Sequence, residues 1–449
     1  MESFSGDTQP TKLGLRSLLG AAARPRFGGL WSHHDFMRLW AGQTISQLGS
    51  TITREALPYT AILVLGATPV QMGLLGAAGA APLLLLGLFA GVWVDRVRRR
   101  PLMIASDIGR ALLLLSVPIA YVLGWLRIEQ LYLVAALVGV LTVFFNVAYQ
   151  ASLPGLIRRE HLLEGNSKLG LSDSLAEIAG PPLGGVLVQL ASGPIALLLD
   201  ALSFVFSVFM LGRIRAQEPP PAPLEQHEHV VHDLATGLRA IWDDPLLRAM
   251  AGTSAIQNFF GWFFGAIYGL YAIHVVGMGT ATLGITVAFG GLGALVGALL
   301  VRPATRRFGL GPTIVGGLLI SSITSLLIWL AGGSLAIAVP LMMASQLIGD
   351  GASTIAAIDE TSLRQTITPD SRLGRVNGSM NVLGEGIGTL GLLFGGVLAE
   401  QIGLRSTVAV AALGSLLGCV WILCSPLPRL RDLPLVEDTN RQEREERQG

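Results

Sequence analysis

The chain has 449 residues, of which 51% are hydrophobic and only 14% are charged, and its mean hydropathy is +0.59. Soluble domains carry about 25% charged residues, so this composition excludes an ordinary soluble protein and makes lipid the solvent for most of the surface. The formal net charge is +1 and no basic tract stands out, so we expect no nucleic-acid partner.

Twelve segments are predicted as membrane-spanning helices, each of which needs about 20 mostly apolar residues. In chain order they are 36–64, 72–93, 101–124, 129–151, 168–190, 194–213, 246–273, 281–302, 312–331, 335–357, 376–400 and 406–425. We therefore predict an all-α membrane protein with tails at residues 1–34 and 426–449.

A polar linker separates the first six predicted spans from the last six. It covers residues 214–245, contains a proline run and three histidines, and leads into an amphipathic helix predicted at 233–247. The linker divides the chain into a half at 35–213 and a half at 246–425. We interpret the histidines as part of a solvated loop, and the two cysteines form no zinc pattern, so we expect neither a metal nor a cofactor.

Arginine residues concentrate in the linker and in the connections that follow the even-numbered spans. They are Arg96, Arg98, Arg99, Arg100, Arg158, Arg159, Arg213, Arg215, Arg239, Arg248, Arg302, Arg306, Arg307, Arg364, Arg372 and Arg375. The opposite set of connections contains only Arg127 and Arg405. By the positive-inside rule, both tails and the linker are predicted to be cytoplasmic, in a multi-pass protein of the cell inner membrane.

The two halves of the chain repeat one another at an offset of 211 residues. Gly180 corresponds to Gly391, and residues 184–187 correspond to 395–398 with the same sequence, Gly-Gly-Val-Leu. The fifth and eleventh spans are thus equivalent members of a six-plus-six duplication. Such halves place a binding site at mid-membrane between them.

The connection between the second and third spans contains Gly-Val-Trp-Val-Asp-Arg-Val-Arg-Arg-Arg at residues 91–100. This sequence resembles the G-x-x-x-D-R-x-G-R-R loop of the major facilitator superfamily, with an arginine in place of the later glycine. The resemblance implies a gating loop that latches the two halves when the cytoplasmic side is closed. Its residues would be Gly91, Asp95, Arg96, Arg99 and Arg100. The alternative is that the arginines only anchor the topology.

A second motif lies in the fifth span, where Gly180, Pro181, Gly184 and Gly185 stand in Gly-Pro-Pro-Leu-Gly-Gly. It resembles the G-P-x-x-G-G signature of drug:proton antiporters in that superfamily. A proline removes a helical hydrogen bond and kinks the helix, while glycines permit close contact with a neighbouring helix. The resemblance implies a bend and a sealed interface that favour export; the alternative is a packing motif.

Residues 36–40, 46–49 and 374–377 are similar to segments of macrolide, tetracycline and siderophore exporters of the same superfamily. The resemblance covers most of residues 36–425. It implies twelve helices in two pseudo-symmetric six-helix bundles. It also implies alternating access to a site between them.

Several acidic residues fall inside predicted spans, where a charge costs about 2.5–3.5 kcal/mol on insertion scales and therefore indicates a function. Asp107 and Arg110 are three residues apart in one span and are predicted to pair. Three other acids are candidates for proton coupling, in this order of preference: Glu55, Glu177 and Glu385. For Glu55 the alternative is a pair with Arg54, but adjacent residues on a helix point about 100° apart, so that pair would be poor.

Polar and aromatic residues of three spans are candidates for lining a central cavity, since aromatic surface with a few polar groups suits an amphipathic ligand. The candidates are Asn146, Tyr149, Gln257, Asn258, Phe260, Trp262 and Asp350. The alternative for the aromatic residues is a belt that faces lipid at the membrane interface.

Together these features favour a secondary exporter of a small amphipathic molecule, such as a drug, antibiotic or siderophore-like compound, in exchange for protons. No nucleotide-binding loop and no pattern of an intramembrane enzyme is present, so we expect a transporter driven by an ion gradient. A lysophospholipid flippase, a nutrient importer and, less favoured, a non-transporting sensor remain alternatives. We expect a monomer whose partners are the bilayer, protons and its substrate.

Overall fold

The computed structural model describes residues 29–94, 96–216, 218 and 230–432 of the chain. Asp95 and most of both tails and of the middle of the linker lie outside the described residues. The described part contains thirteen α-helices and no strand. They are α1 (His34–Leu65), α2 (Pro69–Val94), α3 (Arg99–Val122), α4 (Ile128–Leu156), α5 (Leu162–Leu190), α6 (Gly193–Gly212), α7 (Val230–Asp243), α8 (Pro245–Leu270), α9 (Thr280–Phe308), α10 (Leu310–Leu330), α11 (Leu335–Ile367), α12 (Asp370–Ile402) and α13 (Leu404–Leu423).

Twelve of these helices form two bundles with the same internal arrangement. In the N-terminal bundle, α1 packs on α5 and α6, α3 packs on α4 and α6, and α2 packs on α4. In the C-terminal bundle, α8 packs on α12 and α13, α10 packs on α11 and α13, and α9 packs on α11. Each pair in one bundle therefore has its counterpart in the other. The predicted all-α fold with two six-helix bundles is confirmed.

Ten of the twelve bundle helices are apolar and long enough to cross a membrane by length and composition alone. The two others are α1 and α5, which carry several charged residues along their length. These two helices pack against each other in the interior of the N-terminal bundle. Of their charged residues, Arg54 and Glu55 line the space between the two bundles, whereas Asp35, Arg38, Glu164 and Lys168 lie near the helix starts.

The predicted amphipathic helix at 233–247 is wrong at its C-terminal end. The structure has two helices there, α7 and α8, with a break at Asp244. The carboxylate of Asp244 accepts hydrogen bonds from the backbone N–H groups of Leu246 (2.7 Å) and Leu247 (3.0 Å). Pro245 follows at the first position of α8, where its missing N–H costs nothing. A new helix therefore begins at this point.

The bundles have two ends, which we call the linker face and the opposite face. The linker face is the end at which α1 begins, α6 ends and α7 lies. The opposite face contains the connections 66–68, between α1 and α2, and 277–279, between the end of the α8 segment and α9. Between the two bundles, α5 packs on α9 and α2 packs on α12. These two helix pairs join the bundles, and the space between the bundles lies between them.

Candidate functional site

The contact between α5 and α9 is a close approach of two backbones near the opposite face. A Cβ atom at Gly185 would overlap the carbonyl oxygen of Thr280, and one at Gly284 would overlap that of Pro181. The Thr280 hydroxyl donates a hydrogen bond of 2.9 Å to the carbonyl oxygen of Gly185. The predicted close contact at the proline-glycine motif therefore joins the two bundles.

The contact between α2 and α12 repeats this arrangement. A Cβ at Gly73 would lie 2.6 Å from the carbonyl oxygen of Leu392, and one at Gly396 would lie 2.6 Å from that of Pro69. Each of these four positions is 211 residues from its counterpart in the α5–α9 contact. Both contacts lie toward the opposite face, so this end of the space between the bundles is closed.

The other glycines of the motif contact a different neighbour of α5. A Cβ at Gly180 would overlap the side chain of Thr51, and one at Gly184 would lie 3.2 Å from the Cβ of Glu55. Both contacts are with α1. The motif thus lets α5 lie tightly against α1 on one side and α9 on the other.

A central cavity of about 500 Å³ lies between the bundles, with walls from both of them. From the N-terminal bundle it is lined by Arg54, Glu55, Pro58 and Tyr59 of α1. The C-terminal bundle supplies the remaining walls from α8, α9, α10, α11 and α13. These residues are Gln257, Gly261, Phe264, Gly265, Tyr268, Gly269, Leu283, Val287, Ser321, Ser322, Ser325, Ile328, Ser345, Gln346, Gly349, Asp350 and Ser415.

Glu55, the first candidate for proton coupling, lies in this cavity. Its carboxylate accepts a hydrogen bond of 2.9 Å from the hydroxyl of Tyr59, one helical turn along α1. Among the described residues it forms no ion pair within 4.0 Å. A half-buried carboxylate held only by a neutral hydroxyl can take up a proton or a cationic ligand.

Arg54 pairs with Glu177 rather than with Glu55. Its two terminal nitrogens donate hydrogen bonds of 3.0 and 2.8 Å to the two carboxylate oxygens of Glu177, so the pair is bidentate. The pair links α1 to α5 across the N-terminal bundle, and both side chains are more than half exposed. Glu177 is therefore already neutralised by a partner in this conformation.

Asp350 brings a second carboxylate to the cavity, from α11 of the C-terminal bundle. It lies against Gly290 of α9, where a Cβ would overlap its Oδ2 atom. The side chain of Tyr268 lies in the same wall, and its buried hydroxyl has no hydrogen-bond partner among the described residues. The cavity thus has one free carboxylate in each bundle and a phenol with an unused hydroxyl.

Five serine residues, which were not predicted from the sequence, belong to the wall of the C-terminal bundle. These residues are Ser321, Ser322, Ser325, Ser345 and Ser415, on α10, α11 and α13. Gln257, a predicted cavity residue, joins them through a 3.3 Å hydrogen bond to the Ser322 hydroxyl. In the sequence, the spacing of the three α10 serines places them on one helical face, and this spacing could have indicated a polar wall.

The other aromatic candidates of α8 lie in helix contacts rather than in the cavity wall. Phe260 packs on Gly414 of α13, and Trp262 packs on Gly388 of α12. The indole N–H of Trp262 donates to the Asn258 side chain at 3.2 Å. Because α12 and α13 have glycines at the contact positions, the side chains of Trp262 and Phe260 fill the space that a larger residue would occupy there. Phe264 and Tyr268, one face further round, line the cavity instead.

Two candidates on α4 are also absent from the cavity wall. Asn146 is exposed, and the ring of Tyr149 stacks on Phe145, with centroids 6.2 Å apart. Both belong to the N-terminal bundle, which contributes only α1 residues to the wall described above. Their role in binding stays a prediction.

Glu385, the third coupling candidate, lies in a separate pocket of about 360 Å³ between α2 and α12. The pocket is on the linker-face side of the Gly73–Leu392 contact. It is lined by Leu83, Leu84, Gly87, Gly378, Asn381, Val382 and Glu385. The two helices therefore separate toward the linker face, whereas they touch near the opposite face.

The predicted gating loop follows α2 at the linker face. Gly91 has open space around it, Arg96 is exposed in the turn, and Asp95 lies outside the described residues. The Arg99 side chain donates to the carbonyl oxygen of Ala151 at 2.6 Å. Arg100 reaches α6 instead.

The arginine at position 100 donates to the carbonyl oxygens of Leu211 (2.8 Å) and Gly212 (2.6 Å) at the end of α6. The carboxylate of Glu218, in the linker, accepts from the backbone N–H groups of Arg99 and Arg100 at the start of α3. The loop arginines therefore hold α3, α4, α6 and the start of the linker together.

Among the described residues no group of three or more histidine, cysteine, aspartate or glutamate side chains is placed to hold a metal ion.

Comparison with known proteins agrees with the architecture. The chain is 27% identical over 404 residues to the multidrug efflux pump Tap of Mycolicibacterium fortuitum, a match that covers 86% of this chain and 94% of Tap. It is 26% identical over 426 residues to the enterobactin exporter EntS of Citrobacter koseri, covering 91% of this chain and 96% of EntS.

Solved transporter structures share the fold at lower identity. A bacterial homologue of the iron transporter ferroportin, in its inward-facing state, matches with a TM-score of 0.69 at 18% identity, over 87% of this chain and 98% of that one. The nucleoside transporter NupG matches with a TM-score of 0.70 at 9% identity, over 87% of this chain and 98% of that one. The profile of the Major Facilitator Superfamily matches residues 39–359. The chain is a membrane transporter of the major facilitator superfamily, not an enzyme.

Proposed function

We propose that the protein is a secondary exporter that moves a small amphipathic compound across the cell inner membrane in exchange for protons. The observation that carries the proposal is the central cavity, which joins both bundles and holds one free carboxylate from each, Glu55 and Asp350. The export activity of the relatives Tap and EntS supports the direction of transport.

The charges of the cavity suit alternate binding of protons and a compound with a basic group. Because Arg54 and Glu177 neutralise each other, Glu55 and Asp350 remain as the net charge of the wall. A carboxylate inside a membrane must be paired, hydrated or protonated. A basic group and a proton can each supply that compensation, and they exclude one another at the same carboxylate.

The cavity wall is also divided by polarity. Phe264, Tyr59 and Tyr268 offer aromatic surface, while the serines of α10, α11 and α13 offer hydroxyl groups. A ligand with one apolar side and one polar side can satisfy both parts of the wall. This division favours an amphipathic substrate over a purely polar one.

Export against a gradient needs a source of free energy. A charge that crosses a membrane potential of about 100 mV yields about 2.3 kcal/mol. The sequence contains no Gly-x-x-x-x-Gly-Lys-[Ser/Thr] nucleotide loop, which favours an ion gradient as the source. We propose Glu55 as the main proton-binding residue of the cavity, Glu177 as the partner of Arg54, and Glu385 as a lesser candidate.

The linker face is proposed to be cytoplasmic, with both termini on that side and the protein acting as a monomer. The arginine-rich connections and the linker lie at this face, as the positive-inside rule requires. With the opposite face closed by the glycine contacts, this conformation would receive its substrate from the cytoplasm. The gating-loop residues and Asp95 would then close the linker face in the other conformation.

Everted membrane vesicles that contain a pH-gradient dye test the proposal. A panel of macrolides, tetracyclines, cationic dyes and siderophores is added, and the release of protons from the acidified lumen is recorded. We expect at least one compound to cause proton release with the wild-type protein, and at least tenfold less with Glu55→Gln. Glu129→Gln is the matched control, because Glu129 is exposed at the start of α4 and lies outside the cavity.

Proton release that Glu55→Gln leaves unchanged would remove Glu55 from the coupling. If no compound of the panel causes release and labelled lysophospholipid is moved instead, the proposed substrate class is wrong and lipid transport takes its place.

A further inference from the structure

Three charged side chains are buried together within the N-terminal bundle, away from the central cavity. Asp107 and Arg110 belong to α3 and Asp200 belongs to α6, and their exposed fractions are 0%, 3% and 1%. None of them lines the cavity between the bundles. Acidic side chains that are fully buried in a membrane protein require compensation of their charge.

Arg110 is the positive group of this cluster. It forms an ion pair with Asp107, as the sequence predicts, and a hydrogen bond of 3.4 Å with the hydroxyl of Thr142. Its guanidinium also lies 4.3 Å from the ring centre of Phe145 and 4.2 Å from that of Phe204. Because Phe204 is one helical turn from Asp200, Arg110 lies against the side of α6 that carries Asp200.

Asp200 has neutral partners only. Its Oδ2 accepts a hydrogen bond of 2.6 Å from the Thr53 hydroxyl, and its Oδ1 accepts one of 2.8 Å from the Ser203 hydroxyl. Within the described residues it has no ion pair within 4.0 Å. On the α1 side, Gly49 lies so close that a Cβ there would overlap the carboxylate, which leaves no room for a further cation.

The charges of the cluster do not balance if both carboxylates are ionised. Asp107 and Asp200 supply two negative charges and Arg110 supplies one positive charge. The groups that face Asp200 are Thr53 from α1, Arg110 and Asp107 from α3, and Ser203 from α6 itself. An unpaired buried charge costs several kcal/mol, whereas a single bound proton balances the cluster.

We propose that Asp107, Arg110 and Asp200 form a proton-binding site that holds one proton on one of its two carboxylates. The proton comes from water and returns to water: an O–H bond forms on a carboxylate when it binds and breaks when it leaves. The site is separate from Glu55 and Asp350.

This site is linked to the cavity through α1. Thr53, which donates to Asp200, directly precedes Arg54, whose side chain lines the cavity. Release of the proton changes Asp200 from a group that can donate one hydrogen bond to one that only accepts. We infer that occupancy of the site biases the position of α1 against α6, and this part of the inference rests on the proposed exchange of substrate for protons.

Infrared spectroscopy of the purified protein in dodecyl maltoside micelles, whose molecules carry no carbonyl group, tests the proton site at neutral pH and without substrate. We expect the carbonyl band of one protonated carboxylic acid to disappear in Asp200→Asn. The band should disappear equally in Asp107→Asn, because the single remaining carboxylate then pairs with Arg110. Glu129→Gln should retain it. Asn is isosteric with Asp, and thermal unfolding of each variant checks its folding.

A carbonyl intensity that is the same in Asp200→Asn as in the wild type overturns the proposal. An intensity lost in Asp200→Asn but kept in Asp107→Asn contradicts the charge balance, because Asp200 would then stay protonated beside an unpaired Arg110. If Asp107→Asn does not fold, base titration of unbuffered Asp200→Asn should release one proton fewer than the wild type. An equal number contradicts the site. The spectrum needs no substrate, so these results do not depend on the proposed transport. In the vesicle assay, Asp200→Asn should lower proton release per substrate, and unchanged release would overturn the link to α1.

Discussion

At the scale of single residues, the ion pair of Arg54 distinguishes two acidic residues. Glu177 pairs with Arg54, whereas Glu55 is left without an ion pair in the described part of the chain and is the acid proposed to bind the proton. The pair is bidentate, but both side chains are more than half exposed, so solvent screens it and it contributes about 0–1 kcal/mol to folding. Its importance is positional, because it fixes α1 and α5 relative to each other beside the cavity.

Reversal of this pair should restore what each single variant loses. We expect Arg54→Glu and Glu177→Arg alone to reduce transport several-fold, because each places two like charges together. The double variant should recover at least half of the wild-type rate in the vesicle assay, since it restores the attraction between α1 and α5. Expression and thermal unfolding of all three variants provide the control.

If the folded double variant shows no proton-coupled transport, Glu177 itself carries the proton. Glu177 is the second of the three proton-coupling candidates predicted from the sequence.

The sequence predicts Glu55 and Asp350 as site residues because an acid in an apolar helix is costly without a function. It does not predict the partner of Arg54, because Glu177 lies 123 residues away on another helix. The serine wall is missed for a similar reason. Hydroxyls are common in membrane helices, and only the packing of α10, α11 and α13 reveals that these hydroxyls face one cavity.

At the scale of helices, the proline-glycine motif of α5 determines how closely the bundles meet. Its glycines contact α1 on one side and α9 on the other, and the same positions in α12 contact α8 and α2. The close approach was predicted from the small residues, but the choice of neighbour was not. The lengths of the aromatic side chains on α8 likewise do not indicate which of them meet a glycine on α12 or α13.

Gly185→Ala tests the contact between α5 and α9. Alanine favours a helix over glycine by about 1 kcal/mol, but the added methyl group would overlap the carbonyl oxygen of Thr280. Overpacking typically costs about 1–3 kcal/mol, so we expect the closed opposite face to be destabilised and transport to fall roughly tenfold. Transport and the melting temperature are both measured.

Gly170→Ala is the matched control on the same helix, since nothing lies within 4 Å of a Cβ at that position. It should transport normally and unfold at the same or a higher temperature. Equal behaviour of the two variants would contradict a sealing role for Gly185.

At the scale of the whole molecule, an approximate symmetry relates the two bundles. The two close contacts between the bundles follow this symmetry. Gly185 with Thr280 and Gly396 with Pro69 occupy equivalent positions, 211 residues apart in each helix. The sequence predicts this symmetry through its internal repeat, and it predicts the number of helices. It does not predict which face is closed, because that depends on the relative position of two bundles rather than on either one.

The proposed function requires the bundles to move about the central cavity. The opposite face is closed by the two glycine contacts, while α2 and α12 separate at the pocket that contains Glu385. Exchange then needs a second conformation, in which the linker face closes and the opposite face opens.

Distances between spin labels across both faces test this account most directly. On a background of Cys419→Ser and Cys424→Ser, one pair at Trp125 and Ser334 spans the opposite face, and another at Arg158 and Phe308 spans the linker face; all four positions are exposed. We expect addition of a transported compound, or a change of pH, to lengthen one distance distribution and shorten the other. Distributions that stay fixed, or that both lengthen or both shorten together, would contradict alternating access around the central cavity.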